Sequence, residues 1–368
     1  MFFTTRLIGG IGLAAAAALA VSGCTSPTSA TTSSPIPTPT TTDPATNRMY
    51  DNVGIGPYRS RGTVQVGEGP RSVAVDPGLR QAYVVSQNST APYPVTVSVI
   101  DTRTQAVTAT IAVDDIHVLK PQSITVDPAT HLVYLIGQGP AGMLSVIDPM
   151  INSVTARIPT EGTHDYAAIT IDSDRHTVYV ANHYFRTVLA IDIRSQTVVA
   201  TIPVDAEPET LAVDPSNHQV WVAGNGSASV IDPGTFVVSA TIPLSAEPHG
   251  IVVDPETHTA YITKFNVSSI MTVDTATHAV GNISLQHEAG YAVAIDPAVH
   301  TLYFTTSAFG SVTMIDTRTR TVTASRLAAK SSPFGGRCTW GIAADPTTHE
   351  VYVTYGESSS TIEILATS

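Results

Sequence analysis

The sequence predicts an all-β fold, and three observations support this. First, an aspartate is followed seven residues later by a large aromatic residue at seven places in the chain. Second, successive aspartates lie 51, 45, 42, 40, 42 and 49 residues apart, so one unit occurs seven times. Third, each copy consists of short β-branched segments between turn residues. Such self-similarity indicates a β-propeller with seven four-stranded antiparallel blades. The pairs are Asp76/Tyr83, Asp127/Tyr134, Asp172/Tyr179, Asp214/Trp221, Asp254/Tyr261, Asp296/Tyr303 and Asp345/Tyr352.

The unit at residues 207–244 illustrates the strands of one blade. Its first turn begins with Asp214 and Pro215, where proline fixes φ and the aspartate bonds the backbone ahead of it. Its second turn begins with Asp232 and Pro233. Apolar and polar residues alternate between the turns, which is typical of half-buried strands. The four predicted strands are 211–213, 220–222, 228–231 and 238–242.

The two ends of the repeat array predict a closed ring. The seventh copy has only three predicted strands, with Ala366 where other copies have an aspartate. Residues 62–75 align without gaps on residues 200–213, so residues 63–66 match the outer strand of a blade. We therefore predict that this N-terminal strand completes the last blade and removes both open sheet edges.

Recurring motifs in the copies resemble a known family. The pattern Asp-Pro-x-x-His, then Val-Tyr-Val, then Val-Ile-Asp-Thr resembles the YVTN family of β-propeller repeats. The segments that match best are residues 177–182 and 198–204. The resemblance covers about residues 62–368, and its broader relatives are quinoprotein-dehydrogenase-like and lactonase-like propellers. It implies the fold, whereas many exported proteins with no assigned chemistry share these repeats.

The N-terminal region predicts export and anchoring. Residues 1–23 contain Arg6 followed by an apolar, alanine-rich stretch, which indicates a signal peptide. Cys24 follows Ser-Gly and resembles the lipidated cysteine of bacterial lipoproteins; the alternative is an ordinary cleaved signal with an incidental cysteine. Residues 24–47 are rich in Ser, Thr and Pro and predict a disordered linker. Residues 48–61 form an N-terminal extension, before a propeller at 62–368. The expected location is extracytoplasmic, with an N-terminal lipid in the bacterial membrane.

The composition narrows the classes of partner. The formal net charge is −12, and no basic cluster is visible. Nucleic acid is therefore not an expected partner, because affinity for phosphate backbones comes from clustered Lys and Arg. We expect a monomer that binds a protein, a glycan or a small molecule.

The twelve histidines fall into two groups. Seven occupy equivalent places four residues after a turn aspartate, where we expect them to hold hairpins. They are His131, His176, His218, His258, His278, His300 and His349. The other five break the repeat and fall on the face that carries the connections between blades. They are His117, His164, His183, His249 and His287.

That face also carries the loops of irregular length, at residues 86–94, 137–142, 264–269 and 330–340. Variable loops on a rigid scaffold are where binding residues concentrate. Residues just before each first strand are expected to surround the mouth of the axial channel. The candidate binding residues are Arg71, Gln122, His164, Asp165, His183, Glu209, His249, His287 and Trp340, with Gly290 at the sixth mouth position.

Two chemical interpretations of this face stay open. In one, it is a non-catalytic binding surface. In the other, His164, His249 and His287 hold a divalent metal for a lactonase- or lyase-like hydrolase. No metal-binding spacing motif supports the second interpretation, and scattered solvated histidines explain the same pattern. No residue is assigned a catalytic role.

Overall fold

The computed structural model is a ring of seven four-stranded antiparallel sheets. It describes residues 58–88, 93–114, 116–118, 120, 122–138, 143–160, 166–245, 247–264, 267–285, 289–306, 311–327, 339–356 and 359–367. The described residues contain one helical element, the 3₁₀ turn Pro297–Val299. No helix of the described residues is long or apolar enough to span a bilayer.

The blades are numbered in chain order. Blade 1 contains β2 (Pro70–Asp76), β3 (Gln81–Gln87), β4 (Val95–Asp101) and β5 (Ala106–Val113). Blade 2 contains β6 (Ile124–Val126), β7 (Val133–Gly137), β8 (Met143–Asp148) and β9 (Ser153–Pro159). Blade 3 contains β10 (Tyr166–Asp172), β11 (Thr177–Asn182), β12 (Thr187–Asp192) and β13 (Thr197–Pro203). Blade 4 contains β14 (Pro208–Val213), β15 (Val220–Gly224), β16 (Ser227–Asp232) and β17 (Val237–Pro243).

The remaining strands complete the ring. Blade 5 contains β18 (Pro248–Asp254), β19 (Thr259–Lys264), β20 (Ser269–Asp274) and β21 (Val280–Ser284). Blade 6 contains β22 (Ala289–Asp296), β23 (Thr301–Thr306), β24 (Ser311–Asp316) and β25 (Thr321–Leu327). Blade 7 contains β26 (Ile342–Ala344), β27 (Val351–Thr354), β28 (Thr361–Thr367) and, from the N-terminal side, β1 (Tyr58–Gln65). The first strands β2, β6, β10, β14, β18, β22 and β26 contact one another in that order, and β26 contacts β2. The predicted fold class is therefore confirmed.

The N-terminal strand closes the ring, as the sequence predicts. β1 pairs antiparallel with β28, with Val64 opposite Ile362. It begins at Tyr58, inside the segment assigned from the sequence to the N-terminal extension. The alignment of β1 with the other outer strands stops at Gly62, where a bulge shifts the register between Ser60 and Gly62. On the N-terminal side of this bulge, residues 58–60 pair with β28 again. Arg61 adds an ion pair to the buried carboxylate of Glu350, at 2.5 Å.

The core lies between blades, and this explains the repeated aromatic. Seven apolar clusters of described residues each join two neighbouring blades. The repeat aromatic of a blade packs in the cluster shared with the next blade. Tyr83 packs with Leu135 of blade 2, and Trp221 packs with Ile262 of blade 5. A large ring at this place fills the widening gap between two twisted sheets.

The repeated aspartates organise one face of the ring, which we call the turn face. It carries the hairpin turns after the first and third strands of each blade. Asp76 is fully buried and accepts hydrogen bonds from the backbone N–H of Gly78, at 2.9 Å, and Leu79, at 3.2 Å. The residue four places on adopts a left-handed conformation, as in His131 with φ of 62°. The turn therefore fixes the hairpin geometry.

Three turn-face histidines also hydrogen-bond to the blade aspartate of the preceding blade. His131 Nδ1 lies 2.8 Å from Asp76 Oδ2 of the preceding blade. The same contact joins His349 to Asp296, at 2.8 Å, and His218 Nδ1 to Asp172 Oδ1, at 3.2 Å. These histidines hold the scaffold, in agreement with the role expected from their repetition.

Candidate ligand-binding mouth

The opposite face, which we call the loop face, carries the connections between blades and the loops between second and third strands. Four first strands begin there with a one-residue β-bulge, because the register shifts between Pro70 and Ser72, Tyr166 and Ala168, Pro208 and Thr210, and Pro248 and Gly250. The bulged residues are Arg71, Ala167, Glu209 and His249. A bulge redirects a side chain out of the regular ladder. Each lies five residues before its blade aspartate.

This offset defines seven mouth positions, one for each blade, where the first strands surround the axis. They are Arg71, Gln122, Ala167, Glu209, His249, Tyr291 and Trp340. Five of them are among the candidates from the sequence. For blades 3 and 6 the sequence favoured Asp165 and Gly290, whereas the offset gives Ala167 and Tyr291. The two rules differ there because the sequence took a residue just before the predicted first strand, whereas the offset falls at the register shifts inside β10 and β22.

Glu209 is the centre of a cluster of charged side chains. Its side chain is 8% exposed, and its two oxygens have different partners. Lys120 Nζ lies 2.8 Å from Oε2, and His183 Nδ1 lies 2.9 Å from Oε1. Lys120 precedes the first strand of blade 2, His183 follows the second strand of blade 3, and Glu209 begins blade 4. The cluster therefore joins three blades that are consecutive in the ring.

The surroundings keep Glu209 ionised. Burial raises the pKa of this carboxyl, but the hydrogen bond from His183 and the charge and hydrogen bond of Lys120 outweigh burial and lower the pKa to about 2. Glu209 is thus a fixed negative charge at any physiological pH. Two charged or polar partners occupy its oxygens, so the carboxylate positions Lys120 and His183 at the mouth.

His249 lies beside this cluster and is half-buried. Burial lowers its pKa below the ordinary value for histidine, and the charges of Glu209 and Glu247 offset only part of this effect. The imidazole is therefore mainly neutral at pH 7. A neutral imidazole carries one hydrogen-bond donor and one acceptor.

Gln122 takes part in a chain of hydrogen bonds between first strands. Its side-chain oxygen accepts a hydrogen bond from the hydroxyl of Thr210, at 2.5 Å. The Thr210 hydroxyl in turn accepts from the backbone N–H of Ile251, at 3.1 Å. Thr210 is fully buried. Gln122 thus joins the starts of three first strands, and at least its oxygen is used inside the fold.

Arg71 and Trp340 meet where blades 1 and 7 adjoin. The guanidinium carbon of Arg71 lies 4.9 Å from the centre of the Trp340 ring, within the range of a cation–π contact. Gly356 lies directly against the Trp340 indole. Its φ is +67°, and a Cβ there would lie 2.2 Å from Trp340 Nε1. Only glycine therefore permits the observed position of the indole.

The turn after β11 projects from blade 3 next to the Glu209 cluster. It contains His183, Tyr184, Phe185 and Arg186. Arg186 Nη2 pairs with Glu207 Oε1 at 2.8 Å, and His183 Nε2 lies 3.9 Å from Glu207 Oε2. Tyr184 is 67% exposed and Phe185 is 50% exposed. The two rings pack edge to face, with centroids 5.2 Å apart.

Several predicted positions lie outside the described residues. They are Cys24, His164, Asp165 and His287. Among the residues that are described, no group of three or more His, Cys, Asp or Glu side chains could hold a metal ion. Of the proposed metal ligands, only His249 can be placed, and it lies by Glu209. The metal site stays a prediction.

The sequence reasoning missed Lys120, Arg186, Glu207 and the exposed aromatic pair. For Lys120 a signal was present. The chain has only three lysines, Lys120, Lys264 and Lys330, and all fall in or beside the connections of the loop face. A residue type that is rare overall and confined to one face indicates a specialised surface. No comparable signal identifies Arg186 or Glu207, because their pairing depends on the packing of blade 3 against blade 4.

Comparison with known proteins supports the fold. A solved structure described as Kuenenia stuttgartiensis hydrazine synthase is similar, with a TM-score of 0.65 and 19% sequence identity. The match covers 81% of this chain and 95% of that one. At this identity the likeness shows the propeller fold alone. No protein-family profile and no curated protein matches the chain. The resemblance to YVTN repeats therefore remains a prediction.

Proposed function

We propose that this protein is an exported, lipid-anchored binding module that recognises its ligand through the mouth of the loop face. The observation that carries the proposal is the contrast at equivalent positions of the repeat. On the turn face, six of the seven copies place histidine four residues after the blade aspartate, and the first copy has Arg80. The seven mouth positions carry seven different residue types. A purely structural role would favour one residue type at equivalent places.

The Glu209 cluster supports this proposal on energetic grounds. Withdrawing a carboxylate and an ammonium from water costs several kcal/mol per ion, so a buried ion pair is a weak source of stability. Scaffold contacts elsewhere in the ring rely mainly on apolar clusters and turn hydrogen bonds, with single ion pairs such as that of Arg61 with Glu350. A costly charged cluster at the mouth of a rigid ring is better explained by ligand recognition.

Anchoring is supported by the N-terminal sequence. With Cys24 lipidated, residues 25–47 form a spacer of 23 residues, 18 of them Ser, Thr or Pro. At about 3.1 Å per residue in an extended proline-rich conformation, this spacer reaches up to roughly 70 Å. That length lets either face of the propeller turn away from the bilayer. Cys24→Ser should move the protein from the membrane fraction to the soluble fraction, and membrane retention of the variant would contradict the anchor.

The binding role is tested by capture from solubilised bacterial envelopes. The bait is the full-length protein in detergent, and the mouth variant carries His183→Ala and His249→Ala. The matched control carries His258→Asn and His278→Asn, two histidine changes on the turn face. We expect the mouth variant to lose the captured material and the control to keep it. Equal recovery by all three proteins would refute a mouth-centred binding site.

One feature favours the hydrolytic alternative: His249 lies beside the carboxylate of Glu209, and burial lowers the pKa of its imidazole, which favours the neutral form that ligates a metal or acts as a base. Metal analysis of the purified protein decides this. A stoichiometric divalent metal that is lost in His249→Ala would support a metal-assisted hydrolase. Metal content that does not change in His249→Ala would exclude His249 as a ligand.

A further inference from the structure

We infer that the ligand of the loop face is a neutral glycan, which stacks on Tyr184 and Phe185 and hydrogen-bonds to the polar side chains around them. This inference rests on the proposed binding function and specifies its ligand. It starts from the distribution of exposed apolar side chains. Among the described residues, the exposed aromatic side chains are Tyr93, Tyr184 and Phe185, and all three lie on the loop face. The most exposed aliphatic ones, Met150 and Ile151, lie on the turn face.

The turn that carries Tyr184 and Phe185 has a defined set of hydrogen bonds. The side-chain oxygen of Asn182 accepts from the backbone N–H of Phe185, at 3.3 Å. Arg186 closes the turn in a left-handed conformation, with φ of 52°, and its carbonyl accepts from the N–H of Val204, at 2.9 Å. The ion pair of Arg186 with Glu207 ties the same turn to blade 4. The backbone that carries the two rings is therefore held in place before a ligand binds, so that binding orders little of the chain.

The size of the apolar patch argues against a protein partner. Two-thirds of Tyr184 and half of Phe185 are exposed, which amounts to on the order of 200 Å² of aromatic surface. A standard protein–protein interface buries about 800 Å² on each partner around an apolar centre. The aromatic pair is far smaller, and charged side chains surround it. Its dimensions suit one or two sugar rings.

The charges around the patch argue for a neutral ligand. The guanidinium of Arg186 is matched by Glu207, and the ammonium of Lys120 is matched by Glu209. A cationic ligand would meet the two fixed cations, and an anionic ligand would meet the two carboxylates. The same side chains also offer hydrogen-bond donors and acceptors. A glycan combines an apolar C–H face for the rings with neutral hydroxyl groups for these donors and acceptors.

Affinity electrophoresis of the full-length protein in detergent tests the inference. The native gels contain either no polymer, one of four neutral polysaccharides (a glucan, a mannan, an arabinan or a galactan), or the anionic polymer polygalacturonate. The aromatic variant carries Tyr184→Ala and Phe185→Ala. The control carries Met150→Ala and Ile151→Ala, an exposed apolar pair in a turn of the opposite face.

We expect at least one neutral polysaccharide to retard the wild type and the control equally. The aromatic variant should bind that polymer at least tenfold more weakly, with an unchanged far-UV circular dichroism spectrum. Retardation by none of the neutral polymers, retardation by polygalacturonate alone, or equal weakening in the control would each overturn the inference.

A second arm separates this inference from the proposed function. Envelope extract is treated with proteinase K or with periodate before capture on the immobilised protein. Capture that survives proteinase K and is lost after periodate supports a glycan. Capture that is lost after proteinase K and still depends on His183 and His249 would overturn the glycan and leave the binding function intact.

Discussion

The turn face and the loop face are built from the same repeat but follow different rules. On the turn face, each copy forms its first hairpin turn in the same way, with a buried aspartate and a residue of left-handed conformation four places later. On the loop face, equivalent positions carry Arg71, Glu209, His249 and Trp340, and their contacts reach across blades. The difference shows that repetition here marks the scaffold, whereas departure from repetition marks the candidate site.

The largest expected effect tests the scaffold role of the turn face. Asp76→Ala removes two backbone hydrogen bonds and the contact to His131. At about 1 kcal/mol for each bond, the free energy of unfolding should fall by about 3 kcal/mol. Asp101→Ala is the matched control, because Asp101 begins an equivalent turn but its side chain is 29% exposed. Asp101 accepts hydrogen bonds from the N–H of Arg103 and from the N–H and hydroxyl of Thr104. Because water reaches this turn and can replace them, the substitution should cost about 1 kcal/mol. Urea denaturation measures both, and equal losses would refute the special role of the buried aspartate.

The second prediction tests the charge at the mouth. The pKa of Glu209 is lowered from 4.5 to about 2, so its ionised form contributes stability that is present above pH 4.5 and is lost as pH falls toward 2. Measured relative to protonated Glu209, and leaving out the cost of burying the ion pair, this contribution is about 3 kcal/mol. Glu209→Gln removes this titration. The difference in unfolding free energy between wild type and variant should therefore increase from pH 2 to pH 4.5 and then stay constant. A difference that does not depend on pH would contradict the assignment.

A third prediction concerns the stack of Arg71 on Trp340. In Gly356→Ala the new Cβ would lie 2.2 Å from Trp340 Nε1, so the indole must move. Gly226→Ala is the control, because Gly226 also has a positive φ, +91°, but no atom lies within 4 Å of the place that its new Cβ would take. Both variants carry backbone strain, and only the first carries a clash, which should cost about 2 kcal/mol more. Tryptophan fluorescence should shift in Gly356→Ala alone, since the second tryptophan, Trp221, is fully buried elsewhere.

The smallest expected effect distinguishes histidines within the turn face. His131→Asn keeps a residue that tolerates the left-handed conformation and loses the contact to Asp76. It should lower the unfolding free energy by about 1 kcal/mol. His258 has the same conformation, with φ of 49°, and none of the described residues hydrogen-bonds to its side chain. His258→Asn should therefore be nearly neutral. Equal losses in thermal or urea denaturation would show that the contact between blades does not matter.

The sequence predicted the candidate site less completely than the fold. Arg71, Glu209, His249 and Trp340 could be found because each was expected to lie just before the first strand of its blade. Asp165 was predicted in the same way and lies outside the described residues. Lys120, His183 and Glu209 come from three blades, and no spacing along the chain connects them. Their meeting depends on how far each blade is rotated from the next.

By itself, the sequence determined the number of blades, the strand order and the closure of the ring by β1. These follow from local patterns, since period-2 alternation, the Asp turns and the repeated aromatic each act within one copy or between neighbouring copies. Only the tertiary structure decided which loop-face side chains contact one another, because the ring geometry places residues from different blades within a few ångströms. The environment of Glu209 is such a property, since both of its charged or polar partners come from other blades.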